Sequence, residues 1–221
     1  MKNNEELQVD VQNAIQWEPL LHAAEIGVSA RDGIVTLTGI VDSYAKKMEA
    51  ENATRNTLGV KAIVENIAVK FPNVRSKSDT EIAISILLAI NSNSLIPKDV
   101  VKVKVEDGWV TLSGQLPWNL HKELVKNTIM YLSGIKGITN NVLIQSSLKD
   151  KIEQTAVEEA LIRSSIDAVD VYVRVSGNSL TLTGTVNSFY EKQEAARIAW
   201  KTPGILAVIN ELAVDYEYAY N

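Results

Sequence analysis

Gly33-Ile34-Val35-Thr36-Leu37-Thr38-Gly39-Ile40-Val41 is the stretch on which the fold turns. It returns as Gly108-Trp109-Val110-Thr111-Leu112-Ser113-Gly114 and again as Leu180-Thr181-Leu182-Thr183-Gly184-Thr185-Val186. Gly39, Gly114 and Gly184 are each followed 20 residues later by Gly59, Gly134 and Gly204, so one unit is built three times. Inside the stretch, valine and leucine alternate with hydroxyl residues, the period of a half-buried strand. Just upstream, Asp32-Gly33, Asp107-Gly108 and Gly177-Asn178 tolerate positive φ at both central positions of a two-residue type I′ turn. Before these turns, Ile26, Val28 and Ala30 alternate with polar positions, as do Val101, Val103 and Val105, and Val171, Val173 and Val175. Each copy therefore contains a tight β-hairpin with one apolar face and one face rich in hydroxyl groups.

Working outward, the 20-residue interval suits a helix of about four turns with its loops. Ser43 and Ser188 are N-cap candidates, and Ser188 with Glu191 has capping-box spacing. In the middle copy Pro117-Trp118 stands where the others have the serine, with proline acceptable in the first turn. Ala50, Val125 and Ala195 share one helical position that faces the sheet, and Gly59, Gly134 and Gly204 read as positive-φ residues beyond the helix end, with Pro203 supporting that stop. Third strands are expected over 60–69, 135–144 and 205–214, and a first helix over 4–17, 79–91 and 151–164. The fold class is α+β: three tandem αββαβ domains (1–74, 75–147 and 148–221), each a three-stranded sheet with two helices on one face. The repeat glycines Gly33, Gly39, Gly59, Gly108, Gly114, Gly134, Gly184 and Gly204, with Asn178, are read as turn and helix-end residues.

Composition narrows the chemistry. The 221 residues contain no cysteine, are 46% hydrophobic and 22% charged, and carry a formal charge of −5. Those figures exclude a disulfide scaffold, a thiolate metal centre and a thiol nucleophile. The longest apolar run, 82–90, is interrupted by Ser85 and is far short of the ~20 residues needed to span a bilayer. The first residues lack the pattern of a secretory signal, so a cytoplasmic location is expected, with any membrane contact peripheral. His22 and His121 occupy different places in the repeat and read as surface histidines. Asp79 with Glu81, and Asp167 with Asp170, are pairs that could join oxygen ligands for a hard cation. No phosphate loop, catalytic constellation, metal site or cofactor site is expected.

These residues resemble the BON domain, named for bacterial osmotically inducible and nodulation proteins. The resemblance rests on the three strand-glycine stretches together with Gly59-Val60 and Val64-Glu65-Asn66-Ile67-Ala68-Val69, Gly134-Ile135 and Asn140-Asn141-Val142-Leu143-Ile144, and Pro203-Gly204-Ile205 and Ile209-Asn210-Glu211-Leu212-Ala213-Val214. It implies an αββαβ fold and a non-enzymatic module of osmotic or envelope stress, proposed in several members to contact phospholipid; one relative binds potassium.

The middle copy is the net-positive one. Alternation puts Lys102 and Lys104 on the open sheet face with Trp109, with Lys98 close by and Trp118 as a second apolar candidate. Lys98, Lys102, Lys104, Trp109 and Trp118 form the candidate surface for anionic phospholipid. A protein partner and potassium are the alternative ligands, and nucleic acid is not expected of so acidic a chain. Trp17 and Trp200 suit core or inter-repeat packing, and Tyr216, Tyr218 and Tyr220 alternate at strand spacing.

Overall fold

The computed structural model describes residues 3–21, 25–71, 77–145, 154–164, 170–202 and 204–215. His22, Asp167, Pro203, both connectors between copies and the C-terminal tyrosines lie outside these residues. The first copy comprises α1 (Asn4–Trp17), β1 (Ile26–Arg31), β2 (Ile34–Val41), α2 (Tyr44–Arg55) and β3 (Ala62–Val69). The second comprises α3 (Asp79–Ser92), β4 (Val101–Glu106), β5 (Trp109–Leu116), α4 (Asn119–Ile129) and β6 (Gly137–Ile144). The third comprises α5 (Gln154–Ile162), β7 (Val171–Ser176), β8 (Ser179–Val186), α6 (Phe189–Trp200), β9 (Ala207–Asn210) and β10 (Ala213–Val214).

In every copy the hairpin is antiparallel and the third strand joins the second in parallel, so the second strand is central. In the third copy that last strand is interrupted at Glu211 and Leu212, yet β9 and β10 lie along β8 in one continuous register. Three apolar clusters fill the space between sheet and helices, one for each copy. Ala50, Val125 and Ala195 are fully buried, as their shared helical position requires.

Three local readings change. Gly39, Gly114 and Gly184 are not turn residues: they lie within β2, β5 and β8 with φ of 141°, 133° and 110°. A Cβ at these positions would run into the carbonyl oxygen of Glu25, Val100 or Asp170, where the chain enters the hairpin's first strand. Only glycine combines that φ with that approach. The third hairpin differs from the other two, since Asp32-Gly33 and Asp107-Gly108 have positive φ throughout but only Gly177 does in Gly177-Asn178. Glycine at the first central position is the type II′ pattern. Asn178 instead donates its side-chain amide to the Gly204 carbonyl at 2.7 Å. Pro117 precedes the helix, and Trp118 is the N-cap of α4 without a side-chain hydrogen bond. Ser43 and Ser188 do cap α2 and α6, while Glu191 reaches back to the Asn187 amide rather than to Ser188.

A polar bridge ties the third strand to the second helix in each copy. Asn140 donates to the Lys122 carbonyl at 3.1 Å and accepts from the Val142 amide at 3.2 Å. Asn210 does the same with Lys192 and Leu212. In the first copy Glu65 takes the place of asparagine, pairing with the Lys47 ammonium at 2.7 Å and accepting from the Ile67 amide.

Candidate functional site

Period-2 geometry decides which side chains meet on the open face of the middle sheet. Glu106 pairs with Trp109, Lys104 with Thr111 and Lys102 with Ser113, so these side chains share the face that no helix covers. Trp109 is more than half exposed and lies over Gly137, where any Cβ would collide with the indole. Gly137 is a residue the sequence reading missed; the signal was a glycine where the other copies carry Ala62 and Ala207. Lys104 forms an exposed ion pair with Glu106 at 2.8 Å, while Lys102 has no ion pair among the described residues. Exposed pairs of this kind are worth at most about 1 kcal/mol, but they offset the local positive charge.

The other two candidate residues lie elsewhere. Lys98 is exposed in the loop after α3, and Trp118 begins α4 in the helical layer. The structure thus brings together Lys102, Lys104 and Trp109 and separates both Lys98 and Trp118 from them. Asp79 and Glu81 are occupied structurally: the Asp79 carboxylate accepts from the Asp107 and Gly108 amides at 2.8 and 2.9 Å, and Glu81 completes a capping box with Ser78. Those hydrogen bonds hold the Glu81 carboxyl below its ordinary range. Among the described residues no cluster of three or more histidine or acidic side chains could hold a metal ion. Trp17, expected in a packed position, is 88% exposed.

A second surface belongs to α3. Ile82, Ile86 and Ile90 face the core, yet Ile84, Leu87 and Leu88 are 53%, 44% and 66% exposed, and Leu95 beyond the helix is 64% exposed. At ~100° per residue the outer row lies roughly 150° around the helix from the buried one. Aligning the buried rows of the first helices puts Val9, Gln12 and Asn13 in α1, and Thr155, Glu158 and Glu159 in α5, at the places of Ile84, Leu87 and Leu88. The fold does not require an apolar row there. Exposed Lys77 precedes the helix and donates to Ser85 Oγ at 3.5 Å, and exposed Lys98 lies in the loop that follows it.

The third feature is a groove of about 1070 Å3 between α4 and α6, which contains Trp118 and His121. Its origin is an asymmetry between the junctions of the copies. At the first junction Tyr44 of α2 is 6% exposed within the middle core, with Met48 packed beside it. Burial is the main cause that raises the Tyr44 pKa, and the backbone of Ile138 beside the phenol acts the other way. The corresponding residues of α4 are Asn119 and Glu123, so α4 lacks the apolar pair that joins the first two copies.

The family model for the BON domain matches residues 3–70, 78–146 and 149–216. Among curated relatives, osmotically-inducible protein Y of Escherichia coli (strain K12) is 25% identical over 126 residues, covering 55% of this chain and 63% of that protein. An uncharacterized protein in the gshII 5′ region of Anaplasma centrale is 44% identical over 45 residues, covering 20% of this chain and 30% of that protein. The chain thus spans less than two thirds of the length of either relative. Among solved structures, the C-terminal domain of CdsD, a structural protein of the type III secretion system of Chlamydia trachomatis, is 17% identical with a TM-score of 0.27, covering 97% of this chain and 100% of that one.

Proposed function

From the premise that the chain belongs to the BON-domain family, with three copies in tandem, we propose that it is a non-catalytic binding protein that docks peripherally on an anionic phospholipid surface. Osmotic stress is the setting suggested by the osmotically inducible relative.

The observation that carries the reading is the outer row of α3. Three large aliphatic side chains face water on a helix whose opposite side fills the middle core, and Leu95 in the loop after it is exposed as well. An amphipathic helix lying in a bilayer interface buries its apolar face among headgroups and acyl chains. Full burial of a leucine or isoleucine gains about 1.5–3 kcal/mol, so three that are already half covered supply roughly 2–4 kcal/mol together. Lys77 and Lys98, which flank α3 in the chain, add ~1 kcal/mol each near an anionic leaflet. The open face with Lys102, Lys104 and Trp109 looks away from this surface, because α3 lies on the opposite side of the sheet. One flat bilayer cannot contact both.

Sedimentation with phosphatidylglycerol and phosphatidylcholine vesicles tests the reading. The protein is expected to bind the anionic vesicles with strong salt dependence, and the pair Leu87→Gln and Leu88→Gln to weaken binding about tenfold or more. Lys102→Glu with Lys104→Glu is expected to leave binding within about twofold. Undiminished binding by the leucine variant would sink the α3 assignment, and loss in the lysine variant would move the contact to the open sheet face.

A further inference from the structure

We infer that the groove between α4 and α6 is a binding site for an uncharged oligosaccharide, separate from the proposed lipid-facing row on α3. Four aromatic side chains line it, Trp118 from α4 and Phe189, Tyr190 and Trp200 from α6. Each ring offers a π-face of negative quadrupole, against which the polarised C–H bonds on one side of a pyranose ring pack favourably. The carboxamide residues Asn56, Asn119, Asn127 and Gln193 line the same groove. An amide both donates and accepts, as a sugar hydroxyl does, and is the side chain best matched to it without a charge.

The remaining polar lining points to a neutral ligand. Lys192, Arg197 and Lys201 are set against Glu123 and Glu194, and Arg197 is already held by the Glu194 carboxylate. Little cationic surplus is left for an anion. His121 also lines the groove, with its Nδ1 shielded from solvent and without a hydrogen-bond partner among the described residues. The volume of about 1070 Å3 lies at the top of the range for small-molecule sites and fits several sugar rings better than one.

The first junction offers less room. Tyr44 and Met48 pack into the middle core there and leave a pocket of about 360 Å3 between α2 and α4, while Asn119 and Glu123 in their places line the larger groove at the second.

The experiment is isothermal titration of the full chain with the N-acetylglucosamine tetramer and with maltotetraose, followed in parallel by tryptophan emission. Saturable binding of at least one chain is expected. Trp118→Ala should weaken it about tenfold or more, and so should Gln193→Ala with Asn127→Ala, two exposed positions whose change spares the core. Trp109→Ala, on the open face of the sheet, should leave it unchanged. No saturable heat from either sugar at millimolar concentration would overturn the inference, as would an equal loss in Trp109→Ala. Leu87→Gln with Leu88→Gln, the lipid-row variant, should bind sugar normally, so failure of one proposal is distinguishable from failure of the other.

Discussion

Replacing Tyr44 by alanine tests whether the first two copies behave as one folding unit. The side chain is 6% exposed although it belongs to the first copy, and it sits in the apolar cluster of the second. Truncating a buried aromatic to alanine costs about 3–5 kcal/mol in a core. A junction between two domains can relax more than a core, so the lower end, ~3 kcal/mol, is expected. Tyr44→Phe keeps the ring and removes only the hydroxyl beside the Ile138 backbone, for about 1 kcal/mol or less. For a unit of this size 1 kcal/mol moves the midpoint by roughly 2–4 °C, so alanine should lower Tm by about 6–12 °C.

Alkaline pH gives an independent readout. Burial, then the Glu51 and Glu65 carboxylates, raise the Tyr44 pKa against the opposing influence of the Ile138 backbone. A raised folded value means that the neutral phenol contributes stability in full below the unfolded tyrosine pKa of about 10, and that this is lost as pH rises through the folded value. Calorimetry of the wild type should therefore show a steeper loss of Tm above about pH 10 than calorimetry of Tyr44→Phe. The matching change at the second junction, Asn119→Ala, should cost at most about 0.5 kcal/mol. A Tyr44→Ala protein with unchanged Tm would refute the idea that this ring joins the two copies.

Gly114→Ala should cost ~3 kcal/mol or abolish folding of the middle copy, because φ of 133° and the Val100 carbonyl both exclude a Cβ; urea unfolding measures it. Asn140→Ala removes one hydrogen bond from β6 to α4 and one within β6, and should destabilise by about 1–3 kcal/mol, with Asn210→Ala its counterpart in the third copy. Glu49 is pushed up by burial and then by the nearby Glu18 carboxylate, which also shares a hydrogen bond with it. Its stabilising contribution is therefore complete below the unfolded glutamate pKa of about 4.3 and is lost as pH rises through the folded value. Glu49→Gln should raise urea stability at pH 7, and a variant no more stable than wild type there would contradict the pairing.

The repeat was legible because its signals are local. Two-residue turns, alternation beside them and the 20-residue glycine interval each report on a few neighbouring residues, and together they place the strands and second helices. Gly39, Gly114 and Gly184 were visible as a frame but not as strand residues. Their need for glycine comes from a carbonyl in another segment, which spacing along the chain does not encode. The candidate patch was legible only as far as strand alternation reaches. Lys102, Lys104 and Trp109 share a face because their register is paired, whereas Lys98 and Trp118 lie past the strand ends, where the period stops.

By itself the sequence determined three αββαβ units, their hairpins, and the face of each strand that enters a core, since burial along a strand or helix follows from a repeating angle. Tertiary structure alone decided that the apolar 82–90 run has one row inside and one in water, because a helix apolar on several sides gives no angular signal to choose between them. It also decided that Tyr44 serves the neighbouring copy, and that Asn119 and Glu123 at the next junction flank an open groove. Such contacts depend on how folded units are placed against one another, and the pattern within a single unit carries no record of that placement.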